Sequence, residues 1–259
     1  MKKSTKTICS VAAFAVLAAV IFYAGTLPTT SMFRTTFQMA SIYALLAVSM
    51  NMLNGVTGQF SLGQAGFMTL GAYAYAILTI PAAARPSVYY LYGIAPWLEN
   101  VVLPIPAALI VGGLVAALFA ALIGAPVLRL KSDYFAIATL GFAEVVRIVV
   151  ASSWLNTITN GSLGLNNIPS FNSYYAIFVV VILCIIVMGL IKNSTYGRSF
   201  KAIRDDEIAA EAMGINLAKT KLLSFVLSSF FAGIGGALLA MLAAILGAGF
   251  ALQLAVFVL

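Results

Sequence analysis

The sequence predicts an all-α, polytopic membrane protein of about 7–8 transmembrane spans, and three observations predict it. Hydrophobic residues make up 63% of the 259 residues and charged residues 8%, whereas soluble domains carry about 25% charge. Apolar runs of roughly 20 residues, the length needed to cross a bilayer as a helix, recur along the whole chain. The regular apolar–polar alternation expected of a barrel strand is absent.

Taken in order, hydropathy places spans at roughly 8–27, 37–54, 62–80, 101–128, 134–151, 174–191 and 222–246. The first follows Lys2, Lys3 and Lys6 and nears its end at Ala24 and Gly25, a pattern shared with cleaved signal peptides. Its apolar run from Ile8 is longer than a signal core, so an uncleaved first helix is expected. An eighth run begins near 250 and is cut off at Leu259 with no polar flank, so the C-terminus reads as truncated.

Charge fixes the expected orientation. With the N-terminus in the cytoplasm, the inner segments hold eleven basic residues: Lys2, Lys3, Lys6, Arg129, Lys131 and six between Lys192 and Lys221. Three fall outside: Arg34, Arg85 and, near an outer helix end, Arg147. The net charge of +7 therefore reflects retention of Lys and Arg on the inner side rather than a nucleic-acid surface. Outer segment 81–100 combines Pro81, Pro86 and Pro96 with Tyr89, Tyr90, Tyr92 and Trp97, which suits an interfacial loop with aromatic anchors. Outer segment 152–173 is turn-rich, with Asn156, Asn160, Gly161, Gly164, Asn166, Asn167 and Pro169.

Four segments stand out against this background. Asn54 to Gly71 brings five glycines, Gln59, Gln64, Ser61 and two threonines to membrane depth. Irregular backbone there must be buried in protein or line a wet cavity, so Asn54, Gly55, Gln59, Ser61, Gly63, Gln64 and Gly66 are candidate path-lining residues. The bland alternative is a cytoplasmic turn followed by a helix that packs through small residues. Glu144 and Arg147 stand three apart on one helix and can pair; they serve a solute path or gate, or a structural ion pair near the helix end. The island Lys192 to Lys221 carries ten of the twenty-one charged residues. Within it Asp205 or Asp206 can cap a helix over Ile208 to Met213, Glu207 suits its N-terminus, and Gly214 suits its end. So short a helix needs a partner surface, and its acidic residues suit a protein better than anionic lipid. Finally, Ser229, Ala232, Gly233 and Gly236 supply a close-packing face.

With no His and with Cys9 and Cys184 both inside spans, neither a disulfide nor a metal site is expected. The chain has no G-x-x-x-x-G-K-[ST] phosphate loop and no H-E-x-x-H or G-x-S-x-G site.

Four separated motifs carry a resemblance. They are L-N-G-V-T-G-Q-F-S-L-G-Q-A-G-F-M-T-L-G-A over 53–72, D-Y-F-A-I-A-T-L-G-F-A-E-V-V-R over 133–147, T-N-G-S-L-G-L-N-N-I-P over 159–169, and the stretch Gly197 to Asn216. Through them nearly the whole chain resembles the permease subunits of bacterial branched-chain amino acid ABC transporters. The resemblance implies one transmembrane domain over 1–259, a pore-forming role without catalysis, and a bacterial inner-membrane location. Its implied partners are a second permease subunit, two cytoplasmic ATPases that hold ATP and Mg, and a soluble extracytoplasmic solute-binding protein. No cofactor is implied for this chain itself. Arg198, Lys201, Arg204, Asp205, Asp206, Glu207, Glu211 and Gly214 would form the ATPase-coupling loop. The loop only approximates the common E-A-A, three residues, Gly pattern, and such permeases continue beyond the equivalent of Leu259. A urea or short-amide permease shares this architecture, and a stand-alone channel or ion-coupled carrier is the alternative from another class.

Overall fold

The computed structural model describes residues 19, 21–26, 32–99, 101–128, 132–171 and 173–245. A helical stretch at 21–26 precedes eight helices of six residues or more, with two four-residue turns of helix, Arg85–Val88 and Asn156–Thr159, between them. The eight are α1 (Met32–Asn51), α2 (Gln64–Thr79), α3 (Ile105–Val127), α4 (Ser132–Val150), α5 (Tyr174–Asn193), α6 (Thr195–Asp205), α7 (Glu207–Ala212) and α8 (Leu217–Ile245). The greater part of the expected span 8–27, the run after 250, Arg129, Lys131 and Cys9 lie outside the described residues.

Four stretches, Met32–Val56, Ile105–Val127, Tyr174–Asn193 and Leu217–Ala244, are long and apolar enough to cross a bilayer. Gln64–Thr79 and Tyr134–Val150 join them if each is taken with the short helix that follows it after bends of 97° and 57°, giving up to six spans among the described residues. The outer faces are as apolar as the inner ones. Ile110, Leu114, Leu118 and Leu122 form an exposed stripe along α3, and Val179, Leu183, Ile186 and Leu190 do the same on α5. A soluble helix would carry polar residues there, so these stripes suit lipid or another membrane helix, and the protein is a multi-pass membrane protein.

α8 is the central helix. Residues 231–243 are buried throughout, and α8 packs on α2, α3 and α1. Small residues make that possible, as the sequence predicts for 229–236. A β-carbon on Gly71 or Gly236 would run into the backbone of α8 or α2, respectively. Cys184 is a buried free thiol in α5.

The loops divide between two ends. At one, α1 gives way to residues 52–63, and α5 passes directly into α6 and α7. At the other, segments 80–103 and 151–173 interlock through Tyr89 Oη donating to the Ile158 carbonyl (2.7 Å), Asn160 Nδ2 to the Val88 carbonyl (3.1 Å) and Tyr75 Oη to the Pro169 carbonyl (2.7 Å). Arg85 is buried there with carbonyls as its acceptors: those of Ile77, Ile80, Leu98 and Val101. Ile77 and Ile80 lie at the C-terminal end of α2, where the helix dipole favours a cation.

Candidate functional site

The regular helix of α1 fails at Met52, widens into a π turn over Met52–Val56, and then stops. Such wide turns interrupt the hydrogen-bond ladder and recur at functional positions. Seven residues, 57–63, then cross to α2 without regular structure. Side chains replace the missing ladder. Asn54 Oδ1 accepts from the Ser61 amide (3.1 Å), Ser61 Oγ from the Gly63 amide (3.2 Å), and Thr139 Oγ1 of α4 from the Leu62 amide (3.2 Å). The Gln59 amide returns to the Leu53 carbonyl at 3.2 Å.

The break is anchored inward as well. Gln64 Nε2 donates to Ser228 Oγ in the middle of α8, and that hydroxyl in turn donates to the Ser49 carbonyl of α1 (2.7 Å). A polar chain thus crosses α2, α8 and α1 among otherwise apolar side chains. Around it, Gln59 Oε1, Gln64 Oε1, Ser49 Oγ and Ser229 Oγ are buried without a protein partner among the described residues. Ordered water commonly satisfies buried polar atoms of this kind.

Two charged helices lie on the same end. α6 is amphipathic: Phe200 and Ile203 are buried in the body, Arg198 faces outward, and Arg204, half-exposed, lies against the π turn with Nη1 donating to the Gly55 carbonyl (3.2 Å). α7 is capped by Asp206, whose Oδ1 accepts from the amides of Ile208 (2.8 Å) and Ala209 (3.1 Å). Gly214 follows in the left-handed region at φ +84°, where a β-carbon is disfavoured. Glu207 pairs with Lys221 of α8 at 2.7 Å, which ties the short helix to the core helix. Its outward face shows Ile208 at 83% and Met213 at 84% exposure beside Glu207 and Glu211, so large apolar side chains stand among carboxylates with nothing over them among the described residues. That composition suits a protein surface.

The sequence matches the family of branched-chain amino acid transport system permease components over residues 32–259. The chain belongs to this family. It is 30% identical over 236 residues to the high-affinity branched-chain amino acid transport system permease protein LivM of Salmonella typhimurium, covering 78% of this chain and 51% of that protein. LivM of Escherichia coli is also 30% identical over 233 residues, covering 77% and 50%. The chain thus spans about half the length of these curated relatives. A more distant relative, the nucleoside ABC transporter permease protein NupC of Lactococcus lactis, is 22% identical over 204 residues and covers 71% of this chain and 59% of its own. No solved structure matches the chain.

For this family member the structure gathers most of the expected path residues at one break. Asn54, Gly55, Gln59, Ser61, Gly63 and Gln64 all lie in it, and Gly66 abuts α4 at Ala143. Glu144 and Arg147 behave differently. Arg147 Nε donates to Glu144 Oε2 at 2.9 Å on a half-exposed face of α4, and among the described residues neither bonds to 54–66. Of the expected loop residues, Arg198, Arg204, Asp205, Asp206, Glu207, Glu211 and Gly214 are exposed and Lys201 is half-buried. Sequence reasoning missed Ser49, Thr139 and Ser228 as partners of the break. A lone hydroxyl inside an apolar helix was the available signal, because such a group needs an acceptor.

Proposed function

We propose that this chain is a pore-forming permease subunit of an ATP-driven importer for the branched-chain amino acids leucine, isoleucine and valine. The observation that carries the reading is the placement of an exposed, charged helix pair directly on a polar, irregular break between two membrane helices. One part suits docking of a soluble motor, the other suits passage of a polar solute, and they meet. The match to branched-chain permeases supports the choice of solute.

In this reading the whole chain is one transmembrane domain in the bacterial inner membrane. The end that bears α6 and α7 is cytoplasmic, and so is the N-terminus, in keeping with the excess of basic residues assigned to that side. One of the two ATPases docks on α6–α7, with Glu207, Ile208, Glu211 and Met213 as the contact face. Those ATPases hold ATP and Mg, and this chain binds no cofactor and performs no catalysis. A second permease subunit completes the path, and a soluble binding protein delivers solute from outside. Asn54, Gln59, Ser61 and Gln64 line the path, with Glu144 and Arg147 nearer its outer mouth.

Co-purification in mild detergent with the ATPases of its own system tests this, comparing the unsubstituted chain with Glu211→Lys. Retention by the first and loss by the second, with equal membrane insertion, is the expected result. Solute follows from uptake by a strain lacking its own branched-chain system and supplied with every cognate subunit: leucine uptake that does not depend on this chain overturns the assignment.

A further inference from the structure

We infer that the contact between Arg204 and Gly58 is the strut through which movement of the charged helices reaches the polar break, an inference that rests on the transport reading above. Arg204 occupies the last turn of α6. Among the described residues it is the member of 192–221 that bonds to the stretch 54–71: its Nη1 donates to the Gly55 carbonyl at 3.2 Å. Its Nε and Nη2 both donate to Asp205 Oδ1, at 3.0 and 2.8 Å, which orients the guanidinium from the α6 side while it bonds to the π turn.

The stem of the same side chain lies under Gly58. A β-carbon at Gly58 would stand 2.9 Å from Arg204 Cγ, 3.3 Å from Cβ and 3.4 Å from Cα. These are atoms close to the helix backbone, which cannot swing away as a side-chain tip can. Gly58 also sits at φ +78°, in the left-handed region. Glycine is therefore required here on two separate grounds, space and backbone conformation. Each brings the chain flat against one arginine.

What lies on either side makes this contact a lever rather than a fastening. Below Arg204, Phe200 and Ile203 pin α6 to the body, so α6 moves with its neighbours or tilts on them. Beyond it, Asp206 is extended (φ −160°, ψ 115°) and forms a joint between α6 and α7. On the other side of Gly58, the Gln59 amide returns to the Leu53 carbonyl, residues 61–63 are each held by one side-chain bond rather than a helical ladder, and the stretch ends at Gln64 and its bond to Ser228. A displacement of Arg204 is thus delivered to backbone that no helical ladder braces and passed along it to the buried polar chain. Arg204 acts as a positioning residue in this scheme.

The test is transport per ATP hydrolysed, measured in proteoliposomes holding the full chain with its cognate subunits, for Arg204→Lys and Gly58→Ala. Arg204→Lys keeps charge and helix propensity but lacks the fork needed to hold Gly55 and Asp205 together. Expected is a fall in leucine uptake per ATP of about tenfold in each, within the usual range of coupling between linked sites. Gly58→Ala should still retain the ATPases on purification, since it lies off their docking face. Uptake per ATP equal to the unsubstituted chain in both variants overturns the inference, as does loss of the ATPases with Gly58→Ala, which would make the contact one of assembly. An unsubstituted chain that neither retains ATPases nor takes up solute overturns the transport reading itself, and this inference with it.

Discussion

Gly71 of α2 stands backbone to backbone with Gly233 of α8, and Gly112 of α3 closes the same junction. A β-carbon on Gly112 would lie 2.8 Å from the Gly71 carbonyl oxygen, and one on Gly233 would lie 2.9 Å from that of Gly112. Three helices therefore touch through three residues without side chains, and in lipid such close approach is a main source of helix association.

Enlarging this junction should loosen the bundle. Gly233→Val is expected to cost about 1–3 kcal/mol through overpacking and to lower the melting temperature in detergent. Gly141→Ala is the control, because a β-carbon at Gly141 meets nothing within 4 Å. Equal melting temperatures for the two variants would show that the junction is not tightly packed.

Arg85 should hold the opposite end together. Its guanidinium bonds the carbonyls of Ile77 and Ile80 at the end of α2 to those of Leu98 and Val101 on the returning loop. Arg85→Met leaves those buried acceptors unpaired, at about 1–3 kcal/mol for each one that finds no water. The expected outcome is new cleavage within 81–103 by protease added to that face of the membrane, with α2 and α3 still inserted. Arg85→Lys should rescue poorly, because one ammonium cannot span four carbonyls as a planar fork does. An unchanged digestion pattern would reduce Arg85 to a filler of space.

The sequence shows these features unevenly, for physical reasons. Span positions are legible because apolar length is a local property: 174–191 corresponds to α5 at Tyr174–Asn193, and 62–80 to α2 at Gln64–Thr79. Ends are less so where a helix leaves the apolar band. α8 starts at Leu217 rather than near 222, since Asn216 Oδ1 caps it through the Lys219 amide (3.0 Å) and its first turn is polar. α6 was hidden from hydropathy for the same reason, although Gly197, Phe200 and Ile203 mark its buried face. The cap was readable as Asp205 or Asp206, of which Asp206 serves, and Gly214 as the terminator, because those rules are local. The Gln64–Ser228 bond joins residues 164 positions apart, and only the packing of α2 on α8 brings them together.

The cap on α7 should control the presentation of the face proposed above to dock an ATPase. Asp206→Ala removes the acceptor for two amides and is expected to cost the short helix about 1 kcal/mol. A six-residue helix has little else of its own, so faster amide hydrogen exchange should follow over Glu207–Ala212. Weaker ATPase retention should accompany it. Asp206→Ser restores an acceptor and should recover most of both effects, and failure of that recovery would indicate that the carboxylate charge, not the cap, matters.

The polar chain through Gln64, Ser228 and Ser49 gives the last prediction. Ser228→Ala removes the acceptor for the Gln64 amide and the donor to the Ser49 carbonyl in one step. The buried Gln64 amide is then left without its partner, at about 1–3 kcal/mol. Gln64→Leu removes the other end and leaves Ser228 still bonded to Ser49, so its cost in stability should be smaller. Because the two share one bond, the double variant should be less destabilised than the sum of the single ones, by an interaction energy of about 0.5 kcal/mol or more. Unfolding in mixed detergent micelles measures all four states of that cycle. Strict additivity would mean that Gln64 and Ser228 do not sense each other. Uptake then separates structure from passage. If Gln64 lines the path, Gln64→Leu should slow leucine uptake more than its small loss of stability explains. Uptake that follows stability alone across the cycle would instead leave Gln64 as a brace for the break, with solute passing elsewhere along 54–63.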